Sequence, residues 1–210
     1  MNRNTPQLAH HPLLALPAGL EASIRTQLAA LEHHLVTHHE PRTLVKVDDN
    51  HYDDLFLLFA DRLLSTLQPK RVLLLVSAAA KPTLVGAWKT GRSSFDGRSL
   101  EERYTTSYTL GDWLKQDSEV CISTLRSFQI RQEILADLSR TFDVVLVYNV
   151  PTPFSPVWHL VLEGLWAPVI GFCQQLTPQA IAFFHGNVVN GEEQGTKQSL
   201  EVLSDTPSQM

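Results

Sequence analysis

The sequence has few cysteines and few basic residues, and each shortage argues against a class of protein. Its 210 residues include two cysteines, Cys121 and Cys173, in apolar segments without CxxC spacing, which predicts buried free thiols rather than a disulfide or a metal pair. Such thiols suit a reducing cytosol. A formal charge of -5, from 17 Lys and Arg against 22 Asp and Glu, argues against a nucleic-acid-binding surface and a polybasic membrane anchor.

Long apolar runs are missing as well. No stretch approaches the roughly 20 consecutive apolar residues of a membrane helix, and the first residues lack the basic and apolar regions of a secretion signal. We therefore expect a cytoplasmic chain that does not insert into the membrane itself. Since 43% of the residues are hydrophobic and 19% are charged, the chain is long enough to bury one core.

Composition divides the chain into three parts. Residues 1–17 are rich in Pro and His and predict an irregular N-terminal arm. Residues 18–186 predict a single α/β domain that opens with an amphipathic leading helix over 18–39. Residues 187–210 are polar and free of repeats, which predicts a disordered tail.

Within the domain, apolar runs alternate with helical patterns. "RTLVKV", "RVLLLV", "EVCIST", "FDVVLVYNV" and "APVIGFCQQ" predict strands, and "HYDDLFLLFADRLLSTL" and "SFQIRQEILADLSRTF" predict helices. Residues 81–106 predict a loop or broken helix, "TLGDWLKQ" a turn or two of helix, and Thr177 the N-cap of a last helix. The order predicts a mostly parallel, doubly wound sheet with Leu73, Leu75, Val145 and Val147 in its central strands.

Three segments of the chain, "RVLLLVSAAAKPTL", "TLGDWL" and "FDVVLVYNVPTP", follow one another in a recognisable order. They resemble the segments "RVLLIDADLRKPTL", "GLSDVL" and "YDLVIIDTPP" in the cytoplasmic domain of bacterial tyrosine kinases from exopolysaccharide operons, which are relatives of the MinD and ParA P-loop ATPases. The resemblance runs from about residue 42 to residue 175. It implies a P-loop ATPase-like fold with ligands at the carboxyl ends of the strands.

The sequence departs from the family at each position that holds phosphate or metal. In place of a glycine-rich loop it has "KVDDNHYDDL", with no glycine and four aspartates, although such a loop needs converging backbone N–H groups and a cation. The family's two middle aspartates fall on Val76 and Ala78, its arginine on Ala80, and its last aspartate on Tyr148. None of these side chains has the carboxylate that holds Mg²⁺ at such sites.

The resemblance and these departures together imply a catalytically inactive relative. We expect no catalytic residues and no cofactor, with neither ATP nor Mg²⁺ bound. The expected partner is a protein of polysaccharide synthesis or export, such as a membrane copolymerase, a synthase or an active homologue, which would hold the chain at the inner membrane. The alternative is an atypical nucleotide-binding enzyme with Lys46 or Lys81 as its phosphate cation, or a different α/β enzyme.

Other chemistry is less favoured by the sequence. A metal site is conceivable at His38, His39, Asp48, Asp49 and His51, but a solvated loop and an acidic helix start explain these residues as well.

A hydrolase nucleophile at Ser77 lacks the G-x-S-x-G elbow that would expose it. Asp143 precedes a predicted strand instead of ending one, which indicates a turn or cap residue rather than a catalytic base.

Two segments are candidates for a partner-binding surface near the carboxyl ends of the strands. One is the arginine-containing stretch "GRSSFDGRSLEERY", and the other is the aromatic segment after the last signature, including Leu160. The alternative for the arginine-containing stretch is an ordinary exposed loop, and the alternative for the aromatic segment is packing in the core. The predicted partner-binding residues are Arg92, Arg98, Arg103, Phe154, Trp158 and Trp166.

Overall fold

The computed structural model describes residues 42–47, 52–68, 71–93, 95–129, 141–150, 156–165, 167–185 and 188–190. The strands are β1 (Arg42–Lys46), β2 (Val72–Val76), β3 (Thr106–Ser107), β4 (Val120–Thr124), β5 (Val144–Tyr148), β6 (Val169–Cys173) and β7 (Val188–Asn190). The helices are α1 (Tyr52–Leu67), α2 (Lys81–Thr90), α3 (Leu100–Arg103), α4 (Leu110–Trp113), α5 (Leu125–Gln129), α6 (Pro156–Gly164) and α7 (Pro178–Phe183). The predicted arm and leading helix lie outside these residues.

The described strands form one seven-stranded sheet in the order β3-β4-β2-β5-β6-β1-β7. Every pairing between these strands is parallel. The unbroken apolar runs occupy the centre, where β2 pairs with β5 and places Leu73 beside Val145 and Leu75 beside Val147. Central parallel strands are covered on both faces, which is why both sets of alternating side chains are apolar. The predicted parallel α/β sheet is confirmed.

Helices cover both faces of the sheet. On the first face, Val72, Leu74 and Val76 of β2 join a core with residues of α1 and α2. On the second face, Leu73 and Leu75 join a core with residues of α4, α5, α6 and α7. The sheet is therefore doubly wound, as the sequence predicts. None of the described helices combines the length and apolarity of a membrane span.

The remaining elements partly confirm the sequence predictions and partly differ from them. Residues 81–106, predicted as a loop or broken helix, contain the two helices α2 and α3 with a loop between them, so the broken-helix alternative is confirmed. Helix α6 and the short strand β3 were not predicted. Strand β7 pairs with β1 inside the segment predicted as a disordered tail, so the ordered domain extends beyond residue 187 and at least to Asn190. Its pairing with β1 joins this short strand, with the sequence "VVN", to the sheet.

Candidate functional site

The carboxyl ends of the parallel strands meet at one edge of the sheet, which we call the carboxyl edge. Ligands of open α/β sheets bind at this edge. The residues that end its longer strands are Lys46 of β1, Val76 of β2, Thr124 of β4, Tyr148 of β5 and Cys173 of β6. Helices α1 and α2 both begin near this edge, so their first turns form part of it.

Tyr148 stands where the resemblance places the last, metal-holding aspartate. Its hydroxyl donates a hydrogen bond to Oδ1 of Asp53 in the first turn of α1. Its ring packs edge-on against those of Tyr52 and Phe56, with centroids 5.4 and 5.0 Å away, and the side chain is 5% exposed. A phenol–carboxylate pair and aromatic rings therefore occupy the space between the end of β5 and the start of α1.

The turn after β5 is fixed to the same helix. The backbone N–H of Asn149 donates to the hydroxyl of Tyr52 over 2.9 Å. Asn149 has a φ of 54°, in the left-handed region that asparagine adopts more readily than most residues. The backbone at the end of β5 is therefore held against α1 by a side chain of α1 itself.

The protonation state of the Tyr148 phenol determines whether it can bind a metal ion at this position. Burial, assisted by the hydrogen bond to Asp53 and its charge, raises the pKa of the Tyr148 phenol above its ordinary value. The phenol stays protonated at neutral pH and acts as a hydrogen-bond donor. It is therefore a poor substitute for the carboxylate that binds Mg²⁺ in phosphoryl-transfer enzymes.

Ser77 caps the turn between β2 and α2. Its Oγ accepts a hydrogen bond from the N–H of Ala80 over 3.2 Å, and its carbonyl accepts from the N–H of Lys81 over 3.0 Å. These two bonds close the turn that leads into α2, whose own N-cap is Ala80, so Ser77 has a structural role in this turn. The side chain of Asp143 accepts from the N–H of Arg71 over 3.0 Å, which agrees with its predicted place in a turn.

The two lysines that the sequence offers as phosphate cations do not converge. Lys81 lies half-buried at the start of α2, and its Nζ donates to the carbonyl oxygen of Tyr108. Lys46 ends β1, which lies three strand positions from β2 in the sheet. Three spacings of about 4.8 Å separate these strands by roughly 14 Å. The structure therefore does not bring the two lysines into one site.

The predicted arginine surface is a tightly closed loop. A bridge between Arg92 and Ser99 closes it, and Ser99 and Glu102 form a capping box at the start of α3. Nη1 of Arg92 lies 3.7 Å from Glu102, and Nη2 of Arg98 lies 2.8 Å from Asp96. These two arginines are already paired within the loop, although the side chain of Arg98 remains 61% exposed.

Arg103 is mostly buried and forms ion pairs and hydrogen bonds within the domain. Its guanidinium lies 3.6 Å from Oδ1 of Asp61, which is fully buried on α1, and 3.1 Å from Asp96. It also donates to the hydroxyls of Ser93 and Ser65 over 2.8 and 3.0 Å, and its side chain is only 14% exposed. These contacts of Arg103 therefore hold the loop on α1.

The arginine loop lies at the opposite edge from the one predicted. Helix α2 begins after the carboxyl end of β2, and its ten residues carry the chain back about 15 Å toward the amino ends of the strands. The loop follows α2, so it lies toward that amino edge. Phe95, which the sequence prediction passed over, is 49% exposed there, with the Arg62 guanidinium 4.5 Å from its ring centre.

The aromatic part of the predicted surface also differs from the prediction. Trp158 is 6% exposed and packs in the core of the second face with Val161 and Leu162, so it is not available as a surface anchor. Leu160, on the other side of α6, is 59% exposed. Phe154 and Trp166 lie outside the described residues.

The metal ligands suggested by the sequence lie outside the described residues as well. Within the described part of the chain, no group of three or more His, Cys, Asp or Glu side chains is arranged to hold a metal ion. Cys121 and Cys173 are both buried and neither forms a disulfide, as predicted.

Comparisons with known proteins give weak structural likenesses. No protein-family model and no curated protein matches the sequence. The C-terminal domain of a possible DNA helicase from Lactobacillus plantarum WCFS1 is similar with a TM-score of 0.47 and 12% identity, over 83% of this chain and 96% of that one. Domain III of the Thermotoga maritima replication initiation protein DnaA is similar with a TM-score of 0.42 and 11% identity, over 89% and 68%. Likenesses of this size assign the chain to no family.

Proposed function

We propose that this chain is a non-catalytic, ATPase-like protein that acts as a binding or regulatory subunit in bacterial exopolysaccharide synthesis or export. The observation that supports it most directly is the buried Tyr148, hydrogen-bonded to Asp53 where an active relative would have a metal-holding carboxylate. The polysaccharide context rests on the resemblance of the sequence segments. In this proposal the chain is cytoplasmic and is held at the inner membrane by a partner, such as a copolymerase, a synthase or an active homologue.

The first test is nucleotide binding. Calorimetric titration of the purified chain with ATP and Mg²⁺ is expected to give no saturable heat in the micromolar range. The physical reason is the missing glycine loop together with the protonated phenol at the end of β5. Saturable binding that is lost in Lys81→Ala or Lys46→Ala would instead support the atypical nucleotide-binding enzyme.

The second test addresses the partner surface. Arg98 is the most exposed of the three predicted arginines, so Arg98→Glu should weaken capture of the cytoplasmic portion of a polysaccharide copolymerase by purified protein. Lys115→Glu, the same charge reversal at an exposed lysine elsewhere on the surface, is the matched control. Both variants should melt within about 4 °C of the parent, because loss of the exposed Arg98–Asp96 pair costs at most about 1 kcal/mol. Equal capture by parent and both variants would remove this loop from the proposed surface.

A further inference from the structure

We draw no further inference here: the strongest candidate, the fully buried hydroxyl of Ser123 near the carboxyl end of β4, which has no hydrogen-bond partner, is a single polar group beside Leu75 of β2, and nothing in the described part of the chain shows which ligand would meet it there.

Discussion

Leu75→Asp is expected to unfold the domain. Leu75 is fully buried on β2, between Ser123 of β4 and Val147 of β5, and it faces the core of the second face. An aspartate there would bury an unpaired charge at a cost of several kcal/mol, against a total stability of about 5–15 kcal/mol for a domain of ordinary stability. Far-UV circular dichroism and urea denaturation of the purified variant measure this loss.

The matched control is the same substitution at an exposed leucine. Leu160 is 59% exposed on α6, so Leu160→Asp should change the free energy of unfolding by only about 0.5 kcal/mol. A soluble Leu75→Asp protein that melts cooperatively at the parent's midpoint would contradict the central position of β2.

Arg103→Ala should have the next largest effect. The substitution leaves the carboxylate of Asp61 buried on α1 without its cation, which typically costs about 3–5 kcal/mol. We expect the lower end of this range, about 3 kcal/mol, because the hydroxyls of Ser93 and Tyr104 still donate to Asp61 over 2.8 and 2.9 Å. Urea denaturation gives the free energy directly.

Arg98→Ala is the control for this prediction. Arg98 pairs with Asp96 on the surface, and an exposed pair of this kind contributes at most about 1 kcal/mol. If Arg103→Ala and Arg98→Ala lower the free energy of unfolding by the same small amount, the buried pair does not hold the loop on α1, and Arg103 returns to consideration as a surface residue.

The central strands could be predicted from the sequence because their environment leaves a local signature. A strand buried on both faces needs apolar side chains at every position, and β2 and β5 have them as "VLLLV" and "VVLVY". The N-cap of α7 is equally local, since Thr177 accepts from the N–H of Ala180 two residues beyond Pro178. Features of this kind can be predicted without knowing which distant residues they contact.

Helix α6 carried a usable signal that the prediction missed. Trp158, Val161, Leu162 and Leu165 recur at helical spacing, and all four are buried. The aromatic residues of this segment fit a surface anchor or core packing, and the structure shows core packing for Trp158. Helical periodicity, applied through residue 165, would have placed this tryptophan in the core.

The charged network around Arg103 had no such signal. Asp61 lies in an apolar stretch of α1, and its partners Ser93, Arg103 and Tyr104 come from a loop and helix much later in the chain. Only the packing of α3 against α1 brings them together. The same holds for Tyr148 and Asp53, whose contact depends on the position of α1 over β5. Pairings of this kind follow from the fold and not from local sequence.

The strand order has a consequence for how the protein folds. Strand β1 pairs with β6 and β7, and Arg42 lies opposite Val169, more than a hundred residues later in the chain. Closing so long a loop costs chain entropy before any pairing compensates it, and such non-local topologies fold slowly. During synthesis, β1 has no strand partner among the described residues until β6 has left the ribosome. A chain that ends after β5 would leave β1 with both its edges unpaired and prone to associate with other chains.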